Sequence, residues 1–526
     1  MRAAKPGGEH MRATDKPGGK PVCAEKPADD RINARELAML SLMETENAAA
    51  YSPVAIRRQL RRAGGAATRA ATSVTTGAAT SAAANAPSRD AALTRELVYG
   101  VTKWKLTLDS IIFRFSNIKA DRVAFAILTI IRLGAYQIIF SEKIRASAAC
   151  DESVKLAKKY GNAGSVGYVN ALLRKISGER SAYATSGEYL ERVAAQATER
   201  NVSTVQKDSA AYLSVRYSYP EWLCKKWTAR YGGAFAEALM DAGNRRPELT
   251  VRVNATRADP AGLAENLRRR GFTVRAGRFA NNALIIENPG DFSNTPEFEN
   301  GLFTVQDESS MLCVQALDPK PGESIFDACA APGGKCGYIA EITDGAAAVL
   351  AADIRPARVA AMEQNIAKTG LKSIKCAVAD SAAYDSGLAG AMDKILLDAP
   401  CSGFGVIRKK PEIKWTRTQA DVNSLAETQA ALLANTSRYL KTGGALIYSV
   451  CTIEPEECED IVRNFLDANG SFEAEDLRPY LPRELWPREL WTCDNGPGAA
   501  QNCGIYIYPH MHGIDGFYIA RLRRVT

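Results

Sequence analysis

The sequence predicts a multidomain protein made of an all-α domain, a small α+β subdomain and a doubly wound α/β domain. Its 526 residues correspond to roughly three domains at about 150 residues each. Apolar residues recur at helical spacing over residues 31–180, and no strand-like alternation intervenes. From residue 301 onwards, short apolar strands alternate with turns and helices, which is typical of a parallel sheet covered on both faces.

Two segments lack the composition of a folded domain. Residues 1–30 are rich in Pro, Gly and Lys and cannot bury enough surface to offset the entropy of ordering them, so we predict a disordered tail. Met11 and Met39 leave open where translation starts. Ala63–Ser88 is a Gly/Ala/Thr/Ser tract with almost no charge, and it predicts a flexible insertion inside the helical domain of residues 31–180.

Residues 181–300 combine helical and strand-like patterns. Glu221–Asp241 and Ala261–Arg270 predict helices. Leu249–Asn254 and the shorter segments 272–274 and 283–286 predict strands. We therefore expect a linker followed by a small α+β subdomain.

The domain of residues 301–526 contains five predicted strands. They are short and apolar, as expected of strands that are buried on both faces of a sheet. Helical segments such as Arg355–Thr369 and Asp421–Leu440 separate them. The predicted strands are Ser324–Asp327, Ala347–Asp353, Lys375–Asp380, Lys394–Asp398 and Ala445–Val450.

Composition excludes several classes of protein. Hydrophobic residues make up 46% of the chain, which excludes global disorder. The longest apolar run, Val123–Phe140, contains Arg132 and is too short and too charged to span a bilayer. No secretory leader is recognisable, so we expect a cytoplasmic protein without membrane contact. The net charge of +8 is compatible with a polyanionic partner.

The cysteines predict neither a metal site nor a disulfide framework. Twelve cysteines are present without any Cys-x-x-Cys pair, and only three histidines accompany them. This set offers little to a zinc ion, and disulfides are rare in the cytosol. We expect no metal, and we expect most cysteines to be small buried hydrophobic residues.

Four of the five predicted strands end in an aspartate, namely Asp327, Asp353, Asp380 and Asp398. In open α/β sheets, ligands bind outside the carboxyl ends of the strands. Asp353 lies about twenty residues after the first turn, where an acidic residue typically accepts hydrogen bonds from ribose hydroxyls. Its alternative role is to cap the helix that follows. Four such aspartates together favour a ligand site.

The first turn of this domain is a loop of small residues, Cys329–Lys335. It lacks the first glycine and the final Ser or Thr of the phosphate loop, and it also fails the dinucleotide pattern G-x-G-x-x-G. Nucleotide hydrolysis is therefore not indicated. A loop that lets a ligand approach the backbone, without requiring a pyrophosphate, suits a nucleoside with an amino-acid tail such as S-adenosylmethionine.

Two cysteines follow neighbouring predicted strands. Cys401 lies in the loop Asp398–Gly405, where amino-group methyltransferases carry an Asn/Asp-Pro-Pro-aromatic sequence, and Cys451 follows the fifth strand. Each cysteine alone would be interpreted as a buried, inert thiol. Together, at adjacent carboxyl ends and beside a cofactor loop, they favour covalent catalysis.

A thiol explains how carbon 5 of a cytosine could be methylated. Carbon 5 is a poor nucleophile, but a thiolate that adds to carbon 6 converts the ring into an enamine, whose carbon 5 can attack a methyl sulfonium. The adduct must then lose its carbon-5 proton and expel the sulfur. We therefore expect a site that lowers the pKa of the attacking cysteine.

Six segments of the last domain carry the motifs of one known family: Gln306–Ser310, Cys329–Lys335, Asp398–Gly403, Arg408–Trp415, Ser449–Thr452 and Gly513–Arg521. There the sequence resembles the Sun-type (RsmB-like) RNA cytosine-C5 methyltransferases. The resemblance implies Cys451 as the nucleophile and Cys401 as a residue that helps to resolve the adduct. DNA cytosine methyltransferases use the cysteine of the fourth-strand loop instead, so a thiol in both places is typical of the RNA enzymes. The implied S-adenosylmethionine ligands are Cys329, Ala330, Ala331, Pro332, Gly333, Gly334, Lys335, Asp353, Asp380 and Asp398.

The resemblance extends to the rest of the chain. The helical region, with Gly167–Arg174, resembles a NusB-like RNA-binding domain, and the segments Tyr217–Trp222 and Val251–Asn254 resemble the family's linker subdomain. The last domain is accordingly expected to be a Rossmann-like methyltransferase domain. The implied partner is RNA, with 16S ribosomal RNA as the substrate, and we expect a monomer that does not act on DNA. The tail and the Ala63–Ser88 insertion depart from the family pattern.

A basic run follows the loop that contains Cys401. Arg408, Lys409, Lys410 and Lys414, with Trp415 and Arg417, predict phosphate contacts and an aromatic side chain near the cleft. The alternative is a solvated surface run. The terminal histidines, His510 and His512, are expected to be structural rather than a general base.

Two other functions remain open from the sequence. The chain could be a non-catalytic RNA-binding or transcription-regulatory protein with a vestigial methyltransferase fold, although the pair of cysteines and the set of aspartates argue against decay. It could also be the same kind of enzyme acting on transfer RNA.

Overall fold

The computed structural model describes residues 32–48, 52–63, 88–199, 207–287, 292–486 and 504–526. The predicted tail of residues 1–30 and residues 64–87 of the predicted insertion lie outside these ranges. No helix within the described ranges is long and apolar enough to cross a membrane.

The described residues up to Asn244 form helices. One of them, spanning most of the apolar run predicted above, packs at the centre of the first seven helices, with Ile130, Ile131 and Ala135 fully buried. The charged residue in that run, Arg132, is buried and donates two 2.7 Å hydrogen bonds to the Asp109 carboxylate. The helices are α1 Ala34–Ala48, α2 Ser52–Ala63, α3 Ser88–Lys103, α4 Lys105–Phe115, α5 Phe125–Phe140, α6 Ala146–Tyr160, α7 Ala163–Arg180, α8 Ser186–Glu199, α9 Ala210–Tyr217, α10 Glu221–Tyr231 and α11 Gly233–Asn244.

The predicted helix Glu221–Asp241 is two helices. Gly232 has φ of +82°, a left-handed backbone conformation that ends α10 and that glycine adopts at little cost. The helix α11 then begins at Gly233.

The α+β subdomain is a four-stranded antiparallel sheet with the order β2-β3-β1-β4. Its first three strands correspond to the three predicted ones. The fourth, of three residues, was not predicted. The elements are β1 Leu249–Val253, α12 Pro260–Arg269, β2 Thr273–Ala276, β3 Ala283–Glu287, α13 Pro296–Glu299 and β4 Phe303–Val305.

The last part of the chain is an α/β domain built on an eight-stranded mixed sheet. The elements are α14 Glu308–Leu317, β5 Ser324–Asp327, α15 Gly334–Ile342, β6 Ala348–Asp353, α16 Pro356–Thr369, β7 Ile374–Val378, β8 Met392–Asp398, α17 Ile413–Thr416, α18 Gln419–Thr436, β9 Leu440–Val450, α19 Glu459–Ala468, β10 Phe472–Ala474, β11 Ile505–Ile507, α20 Pro509–His512 and β12 Phe517–Arg524.

The five predicted strands are β5 to β9, and they pair in parallel in the order β9-β8-β5-β6-β7. The antiparallel strands β10, β11 and β12 extend the sheet beyond β9 and were not predicted. Strand β8 lies between β5 and β9, so the loops that follow these three strands meet at one edge of the sheet. This edge holds the candidate site.

Candidate active site

The loop between β5 and α15 is shaped by close backbone packing. Gly333 has φ of +99°, and a Cβ atom placed there would lie 3.0 Å from Cγ of Met362. The Ala330 N–H donates a 2.8 Å hydrogen bond to the carbonyl of Ala352 on β6, which ties the loop to the neighbouring strand. The loop Cys329–Lys335 is therefore packed closely against β6 and α16; that a ligand lies against its backbone stays a prediction.

Asp353 ends β6 and is almost fully buried. Its Oδ1 accepts a 3.0 Å hydrogen bond from the Arg355 N–H, and its Oδ2 lies 2.9 Å from Nη1 of Arg358. The N-cap of α16 is Arg355, so the alternative in which Asp353 caps this helix is wrong. Two apolar side chains beside it are open to solvent, since Ile354 is 57% and Val378 is 55% exposed.

Asp380 does not end a strand, contrary to the prediction. Strand β7 ends at Val378, which pairs with Asp353, the last residue of β6. Because the neighbouring strand stops there, Asp380 has no strand to pair with. Its side chain is exposed, and Oδ1 accepts a 3.0 Å hydrogen bond from the Ala382 N–H.

Asp398 ends β8 and forms an ion pair with Lys335, the last residue of the loop Cys329–Lys335. Nζ of Lys335 lies 2.5 Å from Oδ2 of Asp398, and the Ser449 hydroxyl donates a 3.1 Å hydrogen bond to Oδ1. Burial disfavours the lysine cation, but the carboxylates of Asp398 and Asp327 outweigh it and raise the pKa of Lys335. The pair links the loop after β5 to the loop after β8.

Asp327, at the end of β5, is buried, and neither of its carboxylate oxygens has a hydrogen-bond partner among the described residues. Burial and the Asp398 carboxylate raise its pKa to about 7, although Lys335 and the nearby N–H groups of Cys329 and Cys336 act in the opposite direction. Unpaired buried carboxylates are rare and costly. The side chain is therefore suited to a cationic ligand group.

The two predicted thiols lie side by side. Sγ of Cys401 is 3.2 Å from Sγ of Cys451, and both residues are partly buried. The hydrogen bond from the Cys401 thiol lowers the pKa of Cys451; Lys410 and Lys335 add to this, whereas burial and Asp398 oppose it. The same hydrogen bond, together with burial, raises the pKa of Cys401. The cations of Lys410 and Lys335 therefore favour the thiolate of Cys451, whereas the carboxylates of Glu457 and Asp398 disfavour that of Cys401.

The loop that carries Cys401 packs against two other segments through its backbone. The Gly405 N–H donates a 3.1 Å hydrogen bond to the carbonyl of Cys451, and the Gly516 N–H donates one of 2.8 Å to the carbonyl of Gly405. A Cβ atom on Gly405 would lie 2.0 Å from the Gly516 oxygen, so only glycine fits. Phe517, the first residue of β12, places its ring 5.6 Å from Nζ of Lys335.

The prediction for the basic run is wrong for Arg408 and Lys409. Their cations pair with two buried carboxylates: Nε of Arg408 lies 2.8 Å from Oδ1 of Asp515, and Nζ of Lys409 lies 2.5 Å from Asp307 and 2.7 Å from Asp515. Burial would raise the pKa of Asp307, but Lys409 and Arg408 lower it below its usual range. These ion pairs connect the segment after Cys401 to Asp307 and Asp515. The two cations are therefore neither a solvated surface run nor available to contact RNA phosphates.

Lys414 and Trp415 also point into the protein. Lys414 is 1% exposed, and its Nζ donates hydrogen bonds to Oδ1 of Asn244 at 2.7 Å and to the carbonyl of Ser218 at 3.0 Å. The Trp415 indole N–H donates a 2.6 Å bond to the Thr102 carbonyl. Both side chains therefore fasten α17 to the helices before residue 245. Lys410 is exposed, and Arg417 is partly exposed while its Nε donates a 3.3 Å hydrogen bond to the carbonyl of Ser402, so phosphate contact stays a prediction for these two residues.

The histidines have the structural roles that the sequence predicted. The His512 ring is buried, and its Nδ1 accepts a 3.0 Å hydrogen bond from the Tyr508 N–H. His510 packs edge-on against Phe235, with ring centroids 4.3 Å apart, and burial lowers its pKa to about 4. Among the described residues, no group of three His, Cys, Asp or Glu side chains could hold a metal ion.

Comparison with known proteins identifies the family. The family model "16S rRNA methyltransferase RsmB/F" matches residues 314–523. A probable ribosomal RNA small subunit methyltransferase B of Bacillus subtilis (strain 168) is 34% identical over 438 residues, which cover 83% of this chain and 91% of that protein. The chain belongs to the RsmB/F family. A second RsmB/F relative, the probable ribosomal RNA small subunit methyltransferase B of Synechocystis, is 30% identical over 94% of this chain and 100% of its own length.

Family models also match the helical domain and the α+β subdomain. The NusB family model matches residues 33–178, and the ferredoxin-like domain of RsmF/B-like methyltransferases matches residues 219–293. A solved structure described as a methyltransferase homolog protein from Pyrococcus horikoshii is 28% identical, with a TM-score of 0.52, over 61% of this chain and 100% of its own. The predicted resemblance and the predicted fold classes are therefore confirmed.

Three acidic residues around the RsmB/F site were missed as site residues. Asp307 and Asp515 hold the basic pair described above, and Glu457 lies buried behind the two thiols. Asp307 and Asp515 lie in segments that carry the family motifs, and these motifs could have marked both residues as candidates. For Glu457 the sequence shows only one acidic residue among several in a row.

Proposed function

We propose that this chain transfers a methyl group from S-adenosylmethionine to carbon 5 of a cytosine in 16S ribosomal RNA, through a covalent bond between Cys451 and carbon 6. The observation that carries the proposal is the pair of sulfur atoms 3.2 Å apart at the carboxyl ends of β8 and β9. The named relatives, which are small-subunit ribosomal RNA methyltransferases, support the choice of substrate.

The residues present fit S-adenosylmethionine. Asp327 offers an unpaired buried carboxylate for the ammonium of the amino-acid tail, and the exposed side chains of Ile354 and Val378 offer apolar surface for an adenine ring. We infer that residues 329–335, together with Asp353, Asp380 and Asp398, complete the binding site, and that Asp353 accepts hydrogen bonds from the ribose. When bound, the cofactor supplies an electrophilic methyl group.

Cys451 would act as the nucleophile. Its lowered pKa places more of it in the thiolate form, which is the form that adds to carbon 6. The Lys335 ammonium and the Asp398 carboxylate lie beside it as an ion pair and provide one donor and one acceptor for the polar edge of the base. The cytosine must leave its stack to reach these groups.

Cys401 would act after methyl transfer. Its pKa is raised chiefly by the hydrogen bond to Cys451, and that cause disappears once the Cys451 sulfur is bonded to carbon 6. After the Cys401 thiol has passed its own proton to solvent, its thiolate can accept the carbon-5 proton, and the electron pair left on carbon 5 expels the Cys451 thiolate from carbon 6. Cys401 therefore assists release without forming a bond to the base.

Denaturing gel electrophoresis of enzyme mixed with 16S ribosomal RNA and S-adenosylmethionine tests these roles. Cys401→Ala should accumulate a denaturation-resistant protein–RNA complex, whereas Cys451→Ala should form none and should not methylate. A trapped complex in Cys451→Ala, with none in Cys401→Ala, would reverse the assignment. Bisulfite sequencing of ribosomal RNA from cells with and without the gene would identify the target, and the absence of any gene-dependent 5-methylcytosine would refute the function.

A further inference from the structure

Glu457 lies behind the two thiols and is fully buried, with 0% of its surface exposed. It ends a short 3-10 turn, Pro455–Glu457, that follows the strand β9 and the Cys451 loop. A buried carboxylate is costly unless its oxygens are hydrogen-bonded. Its partners therefore show what the side chain does at this position.

The carboxylate of Glu457 accepts three hydrogen bonds. Oε1 accepts one of 2.8 Å from the Ser402 N–H and one of 3.0 Å from the Gln429 side-chain amide, and Oε2 accepts one from the Ser402 hydroxyl. The amide of Gln429, on α18, also donates a 2.8 Å bond to the carbonyl of Pro400. Glu457 and Gln429 thus hold both residues that flank Cys401.

The network also reaches the other thiol. The hydroxyls of Ser402 and Thr452 are 2.8 Å apart and hydrogen-bonded, and Thr452 directly follows Cys451. The Tyr448 hydroxyl, from β9, donates a 2.7 Å bond to the backbone carbonyl of Glu457. All of these side chains are buried, so water does not compete with the bonds.

We propose that Glu457 is a positioning residue that holds the Cys401 loop against the Cys451 loop, so that the Cys401 thiol stays within hydrogen-bond reach of the Cys451 sulfur. The residue does not touch the reacting atoms itself. The inference rests on the proposed function for its purpose, since the contact between the thiols matters only if Cys451 is a nucleophile.

Glutamine is an informative replacement. In Glu457→Gln, the side-chain oxygen can accept both N–H bonds, and the new amide can donate to the Ser402 hydroxyl oxygen, which then donates to Thr452. The network survives without the negative charge. In Glu457→Ala, the Ser402 N–H and the Gln429 amide lose their acceptor, so the segment directly after Cys401 is no longer fixed by this carboxylate, although the backbone bonds of Gly405 remain. The two variants therefore separate hydrogen bonding from charge.

The test measures how fast iodoacetamide alkylates Cys451 in the full chain over a series of pH values, with the modified peptides resolved by mass spectrometry. The midpoint of this profile reports the pKa of Cys451, which Cys401, Asp398, Lys410 and Lys335 all face. Glu457→Ala should raise the midpoint by about one pH unit, the size expected when a thiolate loses one hydrogen bond. Glu457→Gln should keep the wild-type midpoint.

Glu456→Gln is the matched control, because Glu456 lies on the same turn but accepts hydrogen bonds from Lys226 and Gln419, away from the thiols. It should leave the midpoint unchanged. An unchanged midpoint in a folded Glu457→Ala, or equal shifts in the Ala and Gln variants, would overturn the proposal. If Glu457→Ala does not fold, Ser402→Ala removes the two hydroxyl bonds alone and should raise the midpoint by a smaller amount; no shift would also overturn it.

The alkylation assay needs neither RNA nor cofactor. A chain that never methylates cytosine would refute the proposed function, yet its alkylation profiles would still decide whether Glu457 positions the thiols. Failure of the proposed methylation and failure of the positioning role of Glu457 are therefore distinguishable.

Discussion

Replacing Arg252 by methionine should destabilise the protein by an amount that the structure allows us to work out. Arg252, on β1, is 1% exposed and donates two 2.7 Å hydrogen bonds to Glu341 on α15, which is 0% exposed. It also donates a 2.6 Å bond to the Gly334 carbonyl, at the start of the same helix. In Arg252→Met, the Glu341 carboxylate would stay buried without this partner, which costs about 3–5 kcal/mol.

A second substitution divides this loss into its parts. Arg252→Met combined with Glu341→Leu removes the stranded charge, so what remains is the loss of the Arg252 donor by the Gly334 carbonyl and by the Gln306 side-chain oxygen, at a cost of about 1–3 kcal/mol. Arg275→Met is the matched control, because Arg275 lies on β2 of the same subdomain but is 39% exposed, and its pairs with Glu248 and Glu287 are partly solvated. That control should lose less than about 1 kcal/mol.

Urea unfolding followed by circular dichroism measures all three variants against the wild type. The reasoning would be refuted if Arg252→Met lost no more stability than Arg275→Met, or if the double variant were no more stable than Arg252→Met. Because Arg252 holds the first residue of α15, the single variant should also bind S-adenosylmethionine more weakly.

Three further outcomes are expected. Asp353→Ala should weaken S-adenosylmethionine binding by about 1.5–3 kcal/mol, the value of charge-assisted hydrogen bonds to the ribose; an unchanged dissociation constant in calorimetry would contradict that role. Asp327 has a pKa of about 7, above its ordinary value of 3.8, so its ionisation should lower the stability of the cofactor-free protein as the pH rises between these values. Urea unfolding of Asp327→Asn should lack this decline, and an identical decline would contradict it. Lys414→Met should lower the stability by about 1–3 kcal/mol, because the Asn244 and Ser218 oxygens lose their buried donor, whereas the exposed Lys410→Met should change it little; equal melting temperatures would exclude the buried contact.

The parts of the site that were predicted from the sequence depend on short stretches of chain. Asp327, Asp353 and Asp398 each follow a short apolar run, and such a run marks the end of a buried strand without knowledge of its neighbours. The closeness of Cys401 and Cys451 followed from the assumption that their strands are neighbours, and β8 and β9 do pair. The prediction that Asp380 ends a strand was wrong, because the end of β7 is set by its pairing with β6, and the local sequence does not show that pairing.

The parts that could not be predicted depend on partners that are distant in the sequence. Arg408 and Lys409 look like a surface run when only their neighbours are considered. Their carboxylates, Asp307 and Asp515, come from positions about a hundred residues away on either side. Glu457 is similar, because an acidic residue in an acidic stretch is expected at the surface until the donors of Ser402 and Gln429 are known. Burial of a charge is a property of the assembled fold.

The contact between Gly405 and Gly516 has a consequence for biosynthesis. The loop that carries Cys401 is shaped by a backbone that is translated more than a hundred residues later, and β12, which begins at Phe517, pairs with β9 directly before Cys451. A ribosome that has made both thiols has therefore not yet made the segment that aligns them. The nascent chain cannot acquire the arrangement of the candidate site until residues 516–524 have emerged from the exit tunnel, so partial translation products of this protein should not methylate RNA.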